Sequence, residues 1–220
     1  MGTLCSKGQT QLKYIFVAGA PGSKWSSVVK NIYYSPSVDQ SDYRDEWTYY
    51  HDASGKLDLM HLGAYWDPGM ACPLPEDLTT LTKQQAEASF DRPFNKDSTG
   101  VRIIKSHIFS YEKNIRFLRQ TWPDFPIVLV HRSNDSCLGW WVKCGHFDIT
   151  YPSYSEYYQD LRHMARIIER QNQGLQWAWT HYPGSEPQTN RLLAAELGID
   201  TPPLEYCQDY NINNIKVKVI

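Results

Sequence analysis

Three short segments combine cationic, hydroxyl and imidazole side chains, and each of them adjoins an apolar run. Gly19–Ser27 follows Tyr14–Val17 and contains one lysine and three serines. Lys105-Ser-His107 closes a second apolar run, and His131–Asp135 follows Ile127–Val130. Lysine, arginine and the amides at a helix N-terminus bind phosphate or sulfate groups, and histidine exchanges a proton near neutral pH. These residue types indicate anion binding combined with acid–base chemistry.

The first segment is predicted to connect a strand to a helix. Tyr14–Val17 is β-branched or aromatic, Gly19 and Gly22 favour a turn, and apolar residues recur at helical spacing over Val28–Ile32. Such a loop directs backbone N–H groups and the positive end of the helix dipole at one point. We predict that a phosphate or sulfate cradle is formed by Pro21, Gly22, Ser23, Lys24, Trp25, Ser26 and Ser27.

Strands are predicted to alternate with helices along the chain. Val101–Lys105 is predicted to be a second buried strand, Ile127–Val130 is apolar throughout, and Ile215–Ile220 alternates like a terminal strand. The pattern favours an α/β fold in three layers: a central, mostly parallel sheet, helices on both faces, and a P-loop-like strand–loop–helix at the N-terminus. Ligands of such sheets lie beyond the carboxyl ends of the strands, so the three polar segments should converge.

Two helices are predicted from caps and periodicity. Ser110 is expected to cap a helix that follows it, and Ser155 a long amphipathic helix that ends near Gly174. Residues 36–100 are irregular and rich in aromatic, Pro, Gly and Asp residues. No repeat or linker interrupts the chain, so a single domain over residues 1–220 is predicted.

Composition narrows the class of protein. The chain has 220 residues, 41% hydrophobic, and a net charge of −2, which argues against bulk nucleic-acid binding. Its five cysteines are odd in number and form no CxxC pair, so neither a disulfide framework nor a zinc site is expected. No apolar signal core or membrane-spanning run is found. We expect a cytoplasmic protein without a metal.

Two of the segments resemble the sulfotransferases that use 3′-phosphoadenosine 5′-phosphosulfate (PAPS). Ala20–Ser27 is similar to their Tyr-Pro-Lys-Ser-Gly-Thr-Thr-Trp-like loop around the 5′-phosphosulfate, with Pro21 and Ser23 in register and Lys24 where the family has glycine. Arg102–Ile108 resembles their Lys-Thr-His-Leu-Pro motif. The resemblance implies that His107 is the catalytic base and that Lys105 and Lys24 act on the sulfuryl and phosphate groups.

The third segment resembles the signature with which this family binds the 3′-phosphate. Arg132 corresponds to its arginine, and the serine expected further on falls at Gly139 or Trp140, with Ser136 as a substitute. The C-terminal Arg-Lys-Gly box of the family has no clear counterpart. Arg132 could alternatively pair with Asp135, and the tryptophan could be core.

The acceptor is expected to lie against the irregular segment at about 36–100. Tyr65 and Trp66 could stack on a sugar or a phenol, or simply pack in a loop. The predicted function is transfer of a sulfuryl group from PAPS to a hydroxyl or amine of a small molecule or carbohydrate, with 3′,5′-ADP as product.

Two other functions remain open on the sequence. A P-loop kinase is one, although Gly19–Ser26 is one residue short of Gly-x4-Gly-Lys-Ser/Thr. A sulfotransferase-like module that binds a nucleotide without turnover is the other. A base at His107 distinguishes an enzyme from such a module.

Overall fold

The structure of the chain is a computed structural model that describes residues 12–43, 62–68, 70, 72–143, 157–206 and 214–220. Within these ranges, one sheet is formed by β1 (Tyr14–Gly19), β2 (Arg102–Lys105), β3 (Ile127–His131) and β4 (Lys216–Val219). The strand order is β2-β1-β3-β4. β1 pairs in parallel with β2 and with β3, whereas β4 runs antiparallel to β3. The predicted α/β class with a mostly parallel sheet is therefore confirmed.

The register of the sheet brings three strand ends together. Val17 of β1 pairs with Lys105, and Gly19 pairs with Val130 of β3. The carboxyl end of β1 therefore lies between those of β2 and β3. The residues that follow the three strands begin at the same edge of the sheet, as predicted.

Six helices accompany the strands among the described residues. They are α1 (Trp25–Tyr33), α2 (Lys83–Asp91), α3 (Glu112–Thr121), α4 (Asn134–Lys143), α5 (Leu161–His181) and α6 (Asn190–Glu196). Short 3-10 turns cover Leu78–Thr80, His107–Ser110 and Leu204–Tyr206. None of the helices in the described ranges is long and apolar enough to cross a membrane.

Each face of the sheet is covered by its own apolar cluster. On one face, Val17 packs in a cluster with Ile32 of α1, and on the other Phe16 lies in a cluster with Leu118 of α3. The alternation follows from the period of two along a strand. Helix α5 contributes residues to both clusters, so it packs against both of them.

The long helix α5 differs from its prediction at both ends. Its N-cap is Asp160, which accepts a hydrogen bond at 2.8 Å from a backbone amide of the first turn. The predicted cap, Ser155, lies outside the described residues. The helix also continues past Gly174, where a Cβ would collide with the backbone of Ser110. This glycine allows α5 to pack closely on the His107–Ser110 turn and does not end the helix.

Helix α3 also begins differently. Ser110 was expected to cap it, but Tyr111 occupies the N-cap and makes no side-chain capping bond. Ser110 instead ends the His107–Ser110 turn and is fully buried. The Ser110 side chain is therefore part of the protein interior and does not cap α3.

Charged side chains join the amino ends of β1 and β2. Arg102 Nε lies 3.2 Å from Asp39 Oδ2, and its Nη1 lies 2.6 Å from Asp91 Oδ1. Asp91 also accepts from the Tyr14 hydroxyl at 2.6 Å and from Lys13 at 2.8 Å. Each charge in this network has a partner of opposite sign, as burial of charges requires.

Candidate functional site

The loop between β1 and α1, Ala20–Lys24, begins with a tight turn. The amide of Ser23 donates to the carbonyl of Ala20 at 3.0 Å. Gly22 has φ +77°, and a Cβ there would run into the carbonyl of Cys137 in α4. Glycine is needed at this position because the loop packs directly on the backbone of α4. The loop and α4 therefore form one rigid unit.

Lys24 stands at the N-cap of α1 in a left-handed conformation. Its φ is +60° and its side chain makes no capping bond. The ammonium lies 3.9 Å from the centre of the Trp140 ring, a cation–π contact. No acidic residue is present in the first turn of α1, so this helix end is positive. Ser23 Oγ is buried at the same end and has no partner among the described residues.

His107 lies against the base of this loop and is 3% exposed. Its Nδ1 is hydrogen-bonded to the carbonyl of Gly19. A carbonyl only accepts, so Nδ1 carries the proton, and Nε2 of the neutral ring is a proton acceptor. The Trp25 ring covers the imidazole with centroids 4.3 Å apart. Burial lowers the pKa of His107, while the Asp67 carboxylate opposes this shift, so the ring is neutral at neutral pH.

Asp67 holds the chain at His107 and was missed by the sequence analysis. Its Oδ1 accepts from the His107 amide at 2.7 Å and from the Ser106 hydroxyl. Its Oδ2 is 3.9 Å from His107 Nε2 and has no hydrogen-bond partner in the described part of the chain. The sequence does show a carboxylate directly after Tyr65 and Trp66, and this was the signal that could have pointed to Asp67.

Lys105 is also buried, at 2% exposure, but its ammonium lies elsewhere. It is 5.9 Å from the ring centre of Tyr33, the last residue of α1, whose hydroxyl bonds Asp42 at 2.9 Å. No ion pair of Lys105 within 4 Å is found among the described residues. Burial lowers its pKa to about 8, and Asp42 acts in the opposite direction. The lysine is thus a buried cation with a weakly held proton.

Arg132 connects the end of β3 to the loop. Its Nη1 donates to the carbonyls of Gly22 at 3.3 Å and of Ser136 at 3.1 Å. The Ser136 hydroxyl accepts from Ser133 at 2.8 Å, and Gly139 faces open space. The structure therefore brings the predicted 3′-phosphate residues of α4 beside the predicted phosphate loop.

The two aromatic residues of the predicted acceptor site are separated. The Tyr65 ring meets the His107 ring edge-on at 5.6 Å and lies 5.3 Å from Trp25. Trp66 is fully buried, donates its indole N–H to the Ser89 carbonyl at 3.1 Å and belongs to the other apolar cluster. Tyr65 therefore lies at the site, whereas Trp66 packs in the core.

A second set of buried polar atoms belongs to the His107–Ser110 turn and to α5, which packs on it. Ser110 Oγ and both amide atoms of Gln171 in α5 are fully buried without a partner among the described residues. Gln171 is one helical turn from Gly174, which touches Ser110. Native proteins pair nearly all buried polar groups, so such a concentration indicates bound water or a polar ligand.

The described residues contain no group of three or more His, Cys, Asp or Glu side chains placed to hold a metal ion. The site instead combines a helix N-terminus, a lysine, an oriented imidazole and a buried carboxylate. This set can bind an anion and accept a proton beside it. No protein-family model, curated protein or solved structure matches the chain.

Proposed function

We propose that the chain is a sulfotransferase that moves a sulfuryl group from PAPS to a hydroxyl or amine of a small molecule or carbohydrate. One observation carries the proposal: the hydrogen bond between His107 Nδ1 and the Gly19 carbonyl. This bond leaves Nε2 as the proton acceptor, on a histidine that is bonded to the strand residue just before a loop suited to anions. The attacking group must lose a proton as it bonds to sulfur, and a neutral imidazole can take it.

The Ala20–Lys24 loop supports the phosphate-binding part of the proposal. A lysine at a helix N-terminus is unfavourable for the helix dipole, and a left-handed backbone is unfavourable for any residue but glycine. A bound anion would offset the first cost. The family that the loop resembles has glycine at the position of Lys24, so the left-handed backbone supports the proposed register. We assign β1, the loop and α1 as a P-loop-like cradle in a three-layer fold.

The donor fits the polar groups present at this end of the sheet. The amides at the start of α1, the Ser23 hydroxyl and the Lys24 ammonium would hold the 5′-phosphosulfate, together with Trp25, Ser26 and Ser27. Positive groups there stabilise the charge that develops on the leaving phosphate. The buried charge of Lys105, whose ammonium lies beside Tyr33 at the other end of α1, would act on the donor only at a distance. No metal is needed for these roles.

Arg132, Ser136, Gly139 and Trp140 are assigned to the 3′-phosphate end of the donor. A guanidinium has five N–H groups and suits a phosphate held by two of its oxygens. Arg132 already donates from Nη1 to Gly22 and Ser136. This observation favours one further candidate, a nucleotide-binding module without turnover, in which Arg132 serves only to shape the loop.

Thermal unfolding with PAPS, 3′,5′-ADP, ATP and 5′-AMP tests the proposal. A ligand at a hundredfold excess over its Kd stabilises the folded state by about 2.7 kcal/mol. We expect stabilisation by PAPS and 3′,5′-ADP alone. An equal response to 5′-AMP would show that Arg132 does not recognise a 3′-phosphate. Binding of ATP that disappears with EDTA would point to a kinase and contradict the proposal.

Transfer itself separates the enzyme from the binding module. PAPS is mixed with a panel of hydroxyl and amine acceptors, and sulfated product is measured by mass spectrometry. Product formation supports the enzyme, and PAPS binding without product from any acceptor supports the module. A cytoplasmic setting belongs to the same proposal, since the described cysteines Cys72 and Cys137 are buried free thiols.

A further inference from the structure

Two buried polar atoms lie close together beside the proposed base, and both are hydrogen-bond acceptors. His107 Nε2 has a lone pair because Nδ1 donates to the Gly19 carbonyl. Asp67 Oδ2 lies 3.9 Å from it, carries carboxylate lone pairs and is fully buried. Neither can donate to the other while the imidazole is neutral. The pair therefore presents two lone pairs and no proton.

Asp67 cannot satisfy this oxygen by turning. Its other oxygen, Oδ1, is fixed by the His107 amide at 2.7 Å and by the Ser106 hydroxyl. Bulk solvent does not reach the residue, which is 0% exposed. A buried acceptor left without a donor is costly, so the site is suited to a ligand that supplies one.

The 3.9 Å separation suits one atom that bonds to both groups. An atom at ~2.9 Å from each would subtend an angle of roughly 85° between them, which two slightly bent hydrogen bonds can span. That atom must supply two protons. A hydroxyl group has one and would leave either Nε2 or Oδ2 unpaired. A primary amine has two N–H bonds and one lone pair.

We infer that the acceptor is a primary amine, held by two N–H bonds between His107 Nε2 and Asp67 Oδ2 with its lone pair left for attack on sulfur. The inference rests on the proposed sulfotransferase function and narrows its acceptor class. Asp67 is then a specificity-determining residue in contact with the substrate. Before the amine binds, a water molecule would have the two protons needed to occupy the same place.

The reaction balances without any further reactant. The amine nitrogen forms a bond to sulfur, and the bond from sulfur to the bridging oxygen breaks. The electron pair of that bond leaves with the 5′-phosphate of 3′,5′-ADP. One proton passes from nitrogen to His107 Nε2 and then to solvent. The product is a sulfamate, R–NH–SO3−, and the remaining N–H stays on Asp67 Oδ2.

The aromatic surroundings suggest the shape of the probe. Trp25 covers the imidazole at 4.3 Å and Tyr65 meets its edge at 5.6 Å, so aromatic rings border the proposed base and favour a flat probe. We choose 2-naphthylamine, N-methyl-2-naphthylamine and 2-naphthol, which share one ring system. They carry two, one and one acidic protons on the reacting atom. The alkyl triple cyclohexylamine, N-methylcyclohexylamine and cyclohexanol is tested in parallel; its two amines are ammonium ions at neutral pH and must lose one proton to solvent before the lone pair can attack.

Binding and transfer are measured for each triple. Binding is followed by calorimetry with 3′,5′-ADP present, and kcat/KM with PAPS as donor. We expect the primary amine to exceed both one-proton analogues by about tenfold or more in each measurement, because each analogue leaves one buried acceptor unpaired. Equal or better binding and transfer of the hydroxyl compounds would overturn the inference while leaving the sulfotransferase proposal intact.

Asp67→Asn reverses the preference if the inference is right. Asparagine can keep the Oδ1 contacts to His107 and Ser106, but its amide places a donor where Oδ2 accepted. A hydroxyl can then accept from this amide and donate to Nε2, so the ratio of amine to hydroxyl transfer should fall about tenfold. An unchanged ratio in a variant with wild-type melting temperature refutes the role of Asp67.

The outcomes distinguish a wrong acceptor class from a wrong sulfotransferase proposal. If Asp67→Asn does not fold, the wild-type comparison of the three analogues still decides the acceptor class. If PAPS neither binds nor reacts, the sulfotransferase proposal fails and the acceptor class falls with it. If PAPS is used only with hydroxyl acceptors, the acceptor class alone is wrong.

Discussion

The two ends of the β1–β2 pair both bury polar side chains, but only one end satisfies them. At the amino end, Arg102 bonds to Asp39 and Asp91 within 3.2 Å, and Tyr14 completes the network. At the carboxyl end, the buried atoms Ser23 Oγ, Asp67 Oδ2 and Ser110 Oγ have no partner among the described residues. Paired charges are typical of a structural network. Buried acceptors and hydroxyls without a partner are typical of a ligand-binding site.

Two buried amides near the His107–Ser110 turn show the same contrast between satisfied and unsatisfied polar groups. Asn114 in α3 bonds to Leu78 N, Glu76 O and Ile108 O at 2.7–2.9 Å. Gln171 in α5 makes no such bond in the described part of the chain. The Asn114 amide therefore stabilises the turn, whereas the Gln171 amide makes no comparable contribution among the described residues.

The largest effect is expected on activity at the carboxyl end. His107→Asn should reduce sulfuryl transfer by about 10²–10⁴-fold, because the proposed base is lost. The asparagine amide can still donate to the Gly19 carbonyl in place of Nδ1, so PAPS should still raise the melting temperature. Single-turnover product formation and thermal unfolding measure the two effects. Transfer at the wild-type rate would show that His107 is not the base.

The largest effect on stability is expected at the amino end. Arg102→Met leaves Asp39, whose side chain is 2% exposed, without its counter-charge, and should cost about 3–5 kcal/mol in unfolding free energy. The matched control Lys13→Met removes a pair whose lysine is 44% exposed, and should cost at most about 1 kcal/mol. Urea unfolding compares the two. Similar losses would mean that the network does not distinguish buried from exposed charges.

The two buried amides should differ in the same way. Asn114→Leu strands the Leu78 amide and two carbonyls, and should destabilise the protein by about 1–3 kcal/mol. Gln171→Leu removes an amide whose two polar atoms have no hydrogen-bond partner among the described residues, and it should be neutral or slightly stabilising. Chemical unfolding of the two variants is the measurement. A large loss for Gln171→Leu would show that its amide is already satisfied in solution.

The pH dependence of kcat/KM reports two buried titratable groups. His107 must be neutral to accept a proton, and burial lowers its pKa below 6.5, so the acid limb lies below that pH. The Lys105 ammonium lies beside Tyr33, so its charge would attract the donor only at a distance, and burial lowers its pKa to about 8. We expect kcat/KM to fall to a lower plateau above this value. A rate that stays level to pH 10 would remove Lys105 from the donor site.

The smallest effect separates strain from charge at Lys24. Lys24→Gly relieves the left-handed backbone and should stabilise the protein by about 1 kcal/mol while weakening PAPS binding. The control Lys24→Ala also removes the ammonium but keeps the unfavourable φ, so it should weaken binding without the gain. Melting temperature and PAPS titration measure both. Unchanged PAPS affinity in both variants would place the ammonium outside the donor site.

The amino-acid sequence was sufficient for the strands and for the edge at which the site lies. Apolar runs at Tyr14–Val17 and Ile127–Val130 predict buried strands because both faces must be covered. Gly22 and the serines after it predict the loop, because turn residues and helix starts are local properties. His107 and Arg132 could be chosen because each follows a strand that points to the same edge.

The tertiary structure alone decided how these residues are used. Gly174 looks like a helix end in sequence, but it is a close contact with Ser110 inside a longer helix. Asp67 follows the predicted acceptor residues in sequence, but nothing local assigns its role, because that role depends on a turn 40 residues away. Local propensity determines strands, loops and caps, whereas the partners of a buried polar atom depend on which distant segments the fold brings together.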